Sequence, residues 1–415
     1  MQQQVLQHRL ANGLVILGER MPWLESVAFT TMLPGGTSRE PNGRAGLAGL
    51  ALELSQRGAG NMSSREVVER LDSLGVERSS TVSTCHTTFS IGAMAQVLQP
   101  TLEIAAAILL DPHFPEEELE EARQSALLEL ASIEDDPAQK CFKELKQLRF
   151  GDVFGRSSLG TAEGLTAATH ADCIEFHQRH CKPDGAVLAI AGNFEWETFL
   201  AHAERLFGSW HGQAGPDPGP VVSHRGATHL HHDSQQTHIA LAYDSVPYNH
   251  PEYYRGRGIV GILSDGMSSR LFTEVREKRG LVYAVSASSH SLKNCGSVLC
   301  YAGTTSNRAQ ETLQVTLDTI RAIEKGIDPE ELFRLKSRVR TSLVMEQESS
   351  ASRSSQIAYD WIYLGRVPSR KEVLAEIESL TCENLLEHFA SYPPQGWTLV
   401  TIGPEPLEFA DAVSS

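Results

Sequence analysis

Gly212-Gln213-Ala214-Gly215-Pro216-Asp217-Pro218-Gly219-Pro220 divides the 415-residue chain almost at its midpoint. A stretch so rich in proline and glycine holds neither a helix nor a strand ladder, so it reads as a linker. We therefore expect an N-terminal domain over residues 1–212, a linker over 213–220 and a C-terminal domain over 221–415. Landmarks recur across the linker with an offset of roughly 214 residues, the mark of an internal duplication. Phe114-Pro115-Glu116-Glu117-Glu118-Leu119 opens one long helical pattern, and Ile327-Asp328-Pro329-Glu330-Glu331-Leu332 opens another. Proline in a first turn sacrifices no hydrogen bond, and acidic residues there meet the positive end of the helix dipole. Further on, Leu165-Thr166 starts a helix ahead of the apolar run 186–192. Leu380-Thr381 starts one ahead of the run 398–403.

Each half groups its strands and segregates its helices. Residues 27–33 and 87–94 read as strands. Val67, Val68, Leu71 and Leu74 recur at the spacing of one helical face. The pattern favours an α+β fold over a doubly wound parallel sheet. No strand is followed by GxGxxG and no GxxxxGK[ST] occurs, so nucleotide binding has no support.

Composition narrows the function classes. Hydrophobic content of 41% and charged content of 21% suit a globular chain. The formal charge of −16, with no block of Lys or Arg, argues against a nucleic-acid surface. No apolar run approaches the roughly 18 residues of a membrane span. The opening residues 1–8 have neither the basic nor the apolar region of a secretory signal. Seven scattered cysteines, none in a CxxC pair, suggest free thiols in a reducing cytoplasm, and a cytoplasmic location is expected.

Certain motifs carry a more specific message. Leu10-Ala11-Asn12-Gly13-Leu14 is followed by Gly35-Gly36-Thr37-Ser38-Arg39-Glu40, then by Gly46-Leu47-Ala48-Gly49-Leu50-Ala51-Leu52-Glu53 and Arg57-Gly58. In the second half stands Ser268-Ser269-Arg270-Leu271-Phe272-Thr273-Glu274-Val275-Arg276-Glu277-Lys278-Arg279-Gly280-Leu281-Val282-Tyr283. This succession resembles the pitrilysin/insulinase-type peptidases, the inverted zincins, and in particular their short mitochondrial-processing-peptidase-like branch. The resemblance runs from about Leu10 to Gly403. It implies two similar α+β domains, each an antiparallel sheet covered by helices.

In that family, H-x-x-E-H on a helix supplies two zinc-binding histidines and the glutamate that activates water, and a distal glutamate completes the site. The five positions fall here on Gly49, Leu50, Ala51, Leu52 and Glu53. Both histidines are missing, and an apolar leucine stands where the general base belongs. The distal position falls on Glu129. Glu53 and Glu129 read either as ordinary helix residues or as a weak carboxylate site for a hard cation. No H-x-x-E-H occurs elsewhere in the chain. We therefore expect no catalytic residue, no metal ligand and no cofactor in this chain. Histidines at 177, 180, 229, 231 and 232, and Cys173 with Cys181, read as structural or surface residues.

Arg276 and Tyr283 remain as the expected substrate-binding residues. A guanidinium and a phenol are suited to donate to a carbonyl oxygen that gains charge, and Gly280 permits a turn between them. The plainer alternative is that Arg276 pairs with a neighbouring glutamate while Tyr283 packs. The resemblance implies that the two reach a catalytic cavity, and that Ser80 to Thr84 occupy the sheet edge to which active relatives add a substrate strand. It also implies a division of labour in which a homologous partner with intact H-x-x-E-H holds the zinc. The expected function is thus a non-catalytic subunit, inactive alone, of a heteromeric zinc metallopeptidase acting on peptides. A structural assembly subunit and a peptide-binding homodimer are the competing expectations.

Overall fold

The computed structural model describes residues 4–409. The chain forms two compact units, each an α+β assembly around one sheet. In the first unit the strands are β1 (Val5–Arg9), β2 (Val15–Arg20), β3 (Ser26–Leu33), β4 (Glu77–Val82), β5 (Thr87–Met94) and β6 (Val187–Gly192), in the order β1-β2-β6-β3-β5-β4. In the second they are β7 (Gly226–His231), β8 (Gln236–Ser245), β9 (Val282–Leu292), β10 (Cys295–Thr305) and β11 (Thr398–Gly403), in the order β7-β11-β8-β10-β9. Setting β1 aside, the two orders are the same when strands are matched in sequence order. The duplication expected from the landmarks is therefore a duplication of topology.

Neither sheet is wholly antiparallel, contrary to expectation. β2 pairs with β6 in parallel, as does β7 with β11, and the remaining pairings are antiparallel. In each unit the last strand inserts into the sheet interior, parallel to the first strand of the repeat on one side and antiparallel to the second on the other, and the long helical crossover that precedes it is what a parallel neighbour requires.

Each sheet is buried on both faces. In the first unit, Leu188 and Ile190 of β6 face the helices Leu98–Leu110 and Trp196–Phe207, through Leu102, Leu109, Phe199 and Phe207. Val187, Ala189 and Ala191 face the helix Ser350–Leu364, through Ile357 and Ala358. That is why the 187–192 run is apolar without alternation. In the second unit, Ile239, Leu241 and Leu399 pack against Leu263, Leu317 and Leu385. Ala240, Leu299 and Val400 pack against Cys141 and Leu145 of the helix Pro137–Phe154.

The covering helices change the expected domain boundaries. Ser132–Gly155 belongs to the second unit although it precedes the linker, and Leu343–Arg370 belongs to the first although it follows it. Each sheet needs an apolar helix on its second face. The 137–154 and 350–364 helices fill that role with residues from the opposite half of the sequence. Smaller expectations hold: Thr381 caps the helix Cys382–Ser391 by accepting from the Asn384 amide. Leu165-Thr166 instead lies inside a short helix, Ala162–Ala167. The next helix, His170–His180, starts at Thr169, whose hydroxyl and backbone form a capping box with Asp172.

Candidate functional site

In the first unit the degenerate motif occupies the helix Leu47–Ser55. Its N-terminus is built by Glu40, whose Oε1 accepts from the Gly46 and Ala48 amides at 3.0 and 2.9 Å. Gly46 has φ +101°, and a Cβ there would meet Leu165 Cδ2 at 2.6 Å, so only glycine fits. Leu47, Leu50, Ala51 and Leu54 fix the helix by packing against Leu119, Leu165 and Phe176. Burial pushes the Glu40 carboxyl up to about 7 against the opposing pull of the two amides and of Arg156.

The motif positions present little that could bind a metal. A Cβ at Gly49 would have only the Ser158 carbonyl oxygen within reach, at 3.7 Å, so space alone does not require glycine. Leu52 is nearly buried and, with Phe89 and Phe176, lines an apolar cavity of about 30 Å³. The Glu53 carboxylate is exposed but engaged: its Oε1 accepts from Arg57 Nε at 3.1 Å and Nη2 at 3.0 Å. The same guanidinium reaches Glu118 at 3.1 Å and Glu121 at 3.5 Å. Glu129 is exposed on the helix Leu119–Glu134. Among the described residues, no three His, Cys, Asp or Glu side chains are arranged to hold a metal ion. This donor set does not fit zinc: one ligand position has no side chain, and the other carries a carboxylate paired with arginine.

The neighbouring histidines do not compensate. His180 lines the same cavity with its Nδ1 buried and unpartnered, and burial lowers its pKa, like that of His177, to about 4. Burial holds the Cys173 and Cys181 thiols up at about 12, so neither offers a thiolate. Ser80, Thr81 and Val82 lie on β4, an outer strand of this sheet, and Gln56, which follows the motif helix, ties to Ser80 at 3.0 Å. Ser83 and Thr84 fall in the turn to β5.

In the second unit the structure brings Arg276 and Tyr283 together. Arg276 lies on a π-helical turn, Phe272–Glu277, that closes with the Lys278 amide donating to Thr273 at 2.9 Å. Gly280, at φ +55°, turns the chain into β9. The Arg276 guanidinium carbon stands 4.8 Å from the centre of the Phe272 ring and 5.9 Å from that of Tyr283. Glu274, the nearby acid, is held by Lys278 at 2.6 Å and Arg279 at 2.8 Å, which keep its carboxyl below the usual range. Arg276 makes no ion pair among the described residues, and Tyr283 is 87% exposed. The plainer alternative, a helix-surface ion pair with a packed tyrosine, is not what forms.

Two features escaped the sequence. Glu53 and Arg57 stand four apart, the spacing of an ion pair on a helix, but Glu118 and Glu121 join only through tertiary packing. The Glu40 cap had no local signal either, since it reaches over six residues to the helix it serves.

Residues 17–161 match the family model described as Insulinase (Peptidase family M16), and residues 167–339 match that of the Peptidase M16 inactive domain. A Rickettsia bellii protein named as an uncharacterized zinc protease is 26% identical over 401 residues, covering 96% of this chain and 97% of that one. A Bacillus subtilis zinc protease of the same description is 27% identical over 380 residues, covering 90% and 92%. Among solved structures, a peptidase M16 inactive domain from Pseudomonas fluorescens superposes with a TM-score of 0.91 at 20% identity, covering 98% of this chain and 99% of that one. At that identity the likeness speaks to the fold alone. No helix among the described residues is long and apolar enough to cross a membrane.

Proposed function

The chain belongs to the insulinase family of peptidases, M16, and from that premise we infer that it serves as the non-catalytic, substrate-binding subunit of a heteromeric zinc peptidase acting on peptides or unfolded polypeptides. The observation that carries this reading is the motif helix, where Leu52 replaces the base and Glu53 is clamped by Arg57. A homologous partner with intact H-x-x-E-H then supplies the zinc, and with it the Lewis acid and the activated water. This chain contributes Arg276 and Tyr283, whose exposed donors bind the peptide and meet the carbonyl oxygen as charge develops on it. Stacking on Phe272 and Tyr283 restrains the guanidinium before substrate arrives, so less freedom is lost on binding. The seven free thiols suit a cytoplasmic setting.

The test is co-expression with a homologue that carries the intact motif, then a peptidase assay on each chain and on the mixture. Turnover confined to the partner and raised by adding this chain is the expected result. Two species that stay apart in native mass spectrometry would overturn the proposal and favour a peptide-binding homodimer or a structural subunit.

A further inference from the structure

We propose that His229 and His231 form a two-histidine chelate for a divalent transition-metal ion of the zinc, nickel or copper(II) class, on the outer strand of the second unit's sheet. Both histidines lie on β7, in parallel register with Thr401 and Gly403 of β11. Residues two apart on a strand project from one face, with Cα atoms about 6.6 Å apart. That spacing lets two imidazoles converge on one ion.

Hydrogen bonds at the other ring nitrogens prepare both rings for this role. His231 Nδ1 lies 3.0 Å from the Pro404 carbonyl oxygen. A carbonyl only accepts, so this nitrogen carries a proton, and in the neutral ring the lone pair is then on Nε2. His229 Nδ1 lies 2.9 Å from the Thr401 hydroxyl. Its Nε2 makes no hydrogen bond among the described residues. A neutral imidazole whose second nitrogen is fixed by an oxygen is the arrangement in which proteins hold metal-binding histidines.

The donor set also limits the ion. Imidazole suits zinc, nickel and copper, whereas calcium and magnesium require oxygen ligands. No third His, Cys, Asp or Glu among the described residues completes the set, so water fills the remaining positions. The site is also separate from the Arg276–Tyr283 pair. β7 and β9 are the two outer strands of a five-stranded sheet, about 19 Å apart across it. The ion is therefore not the relatives' catalytic zinc. It stands or falls independently of the proposed function.

The test strips the full chain with EDTA and titrates zinc or nickel against a chromophoric chelator. About one competing ion per chain is expected. His229→Gln and His231→Gln should each abolish it, with unchanged thermal unfolding in the absence of metal. His8→Gln, at an exposed position on β1, should bind like the parent. Thr401→Val should weaken binding roughly 10–100-fold and Thr401→Ser should restore it. If the parent takes up no competing ion the proposal fails, and if either single histidine variant binds as the parent does, the uptake is of an adventitious ion only and the proposal fails as well.

Discussion

Arg353 and Glu19 form a buried ion pair, Nη2 to Oε2 2.6 Å and Nε to Oε2 3.1 Å, although 334 residues separate them in the chain. The pair joins the 350–364 helix to β2 within the first unit. The second unit has a counterpart: Arg149 of the 137–154 helix is fully buried and bonds Asp244 of β8, Ser297 of β10 and the Gly396 carbonyl. In each unit, then, the helix that comes from the opposite half of the chain brings a buried arginine to a strand acid. Hydroxyls add direction in the first unit, where Thr30 of β3 contacts Ser354 at 3.0 Å and Ser355 at 3.2 Å. Apolar packing of Ile357 and Ala358 alone would tolerate sliding; a guanidinium on one carboxylate does not.

Removing one partner of the buried pair strips the remaining buried charge of its partner in that bond. Arg353→Met should therefore destabilise the chain by about 3–5 kcal/mol, whereas Glu19→Leu combined with Arg353→Met should cost less than either single change. Urea unfolding of the four proteins checks this. Equal, additive losses would show that the pair contributes nothing beyond its separate side chains.

The exchanged helices also mark where sequence reading stops. Strand positions such as 87–94 and 398–403 were legible because two-sided or alternating burial imposes its pattern on local sequence. Duplication was legible because landmark order survives divergence. Which sheet the 137–154 helix covers depends on Cys141, Leu145 and Arg149 finding partners some 100 to 260 residues away, and no local pattern encodes that. The site divides in the same way. The missing H-x-x-E-H side chains could be read from Gly49, Leu52 and Glu53 themselves, and the approach of Arg276 to the Phe272 and Tyr283 rings only from the folded turn.

Glu40 predicts a pH dependence of stability. Its folded pKa of about 7 lies above the ordinary 4.5, with burial as the main cause. The folded state therefore holds a proton that the unfolded state releases. The resulting contribution is fully present below about pH 4.5 and is lost as pH rises through about 7, on the order of 3 kcal/mol in total. Glu40→Gln keeps an acceptor for the Gly46 and Ala48 amides and cannot titrate. Denaturant unfolding between pH 4.5 and 8 should fall more steeply for the parent than for this variant. Parallel curves would show that Glu40 is ionised throughout.

The motif helix predicts chemical silence. Hydrolysis of peptides by the isolated chain should be absent with or without added zinc, and Glu53→Gln should not change that, since its carboxylate serves Arg57 rather than a metal. Chelator-sensitive turnover by the pure chain, lost in Glu53→Gln, would refute this and return Glu53 to a ligand role.

Arg276 and Tyr283 give the most direct test of the shared site. Tyr283 is 87% exposed, so Tyr283→Phe removes a hydroxyl without opening a core cavity, and thermal unfolding should be unchanged. Arg276→Ala loses the stacking on Phe272 and Tyr283, and a cation over aromatic rings contributes only about 0.5–1 kcal/mol at exposed sites. Both variants should therefore still assemble with a catalytic partner. If their donors act on the developing oxyanion, each should lower kcat of the mixed complex by a factor equivalent to about 2.7–4 kcal/mol. Donors that hold the peptide equally in ground and transition states would instead raise KM and leave kcat unchanged. Either pattern places the pair on substrate. Kinetics matching the parent in both variants, with assembly intact, would leave the arginine–tyrosine stack a purely structural feature of the turn that leads into β9.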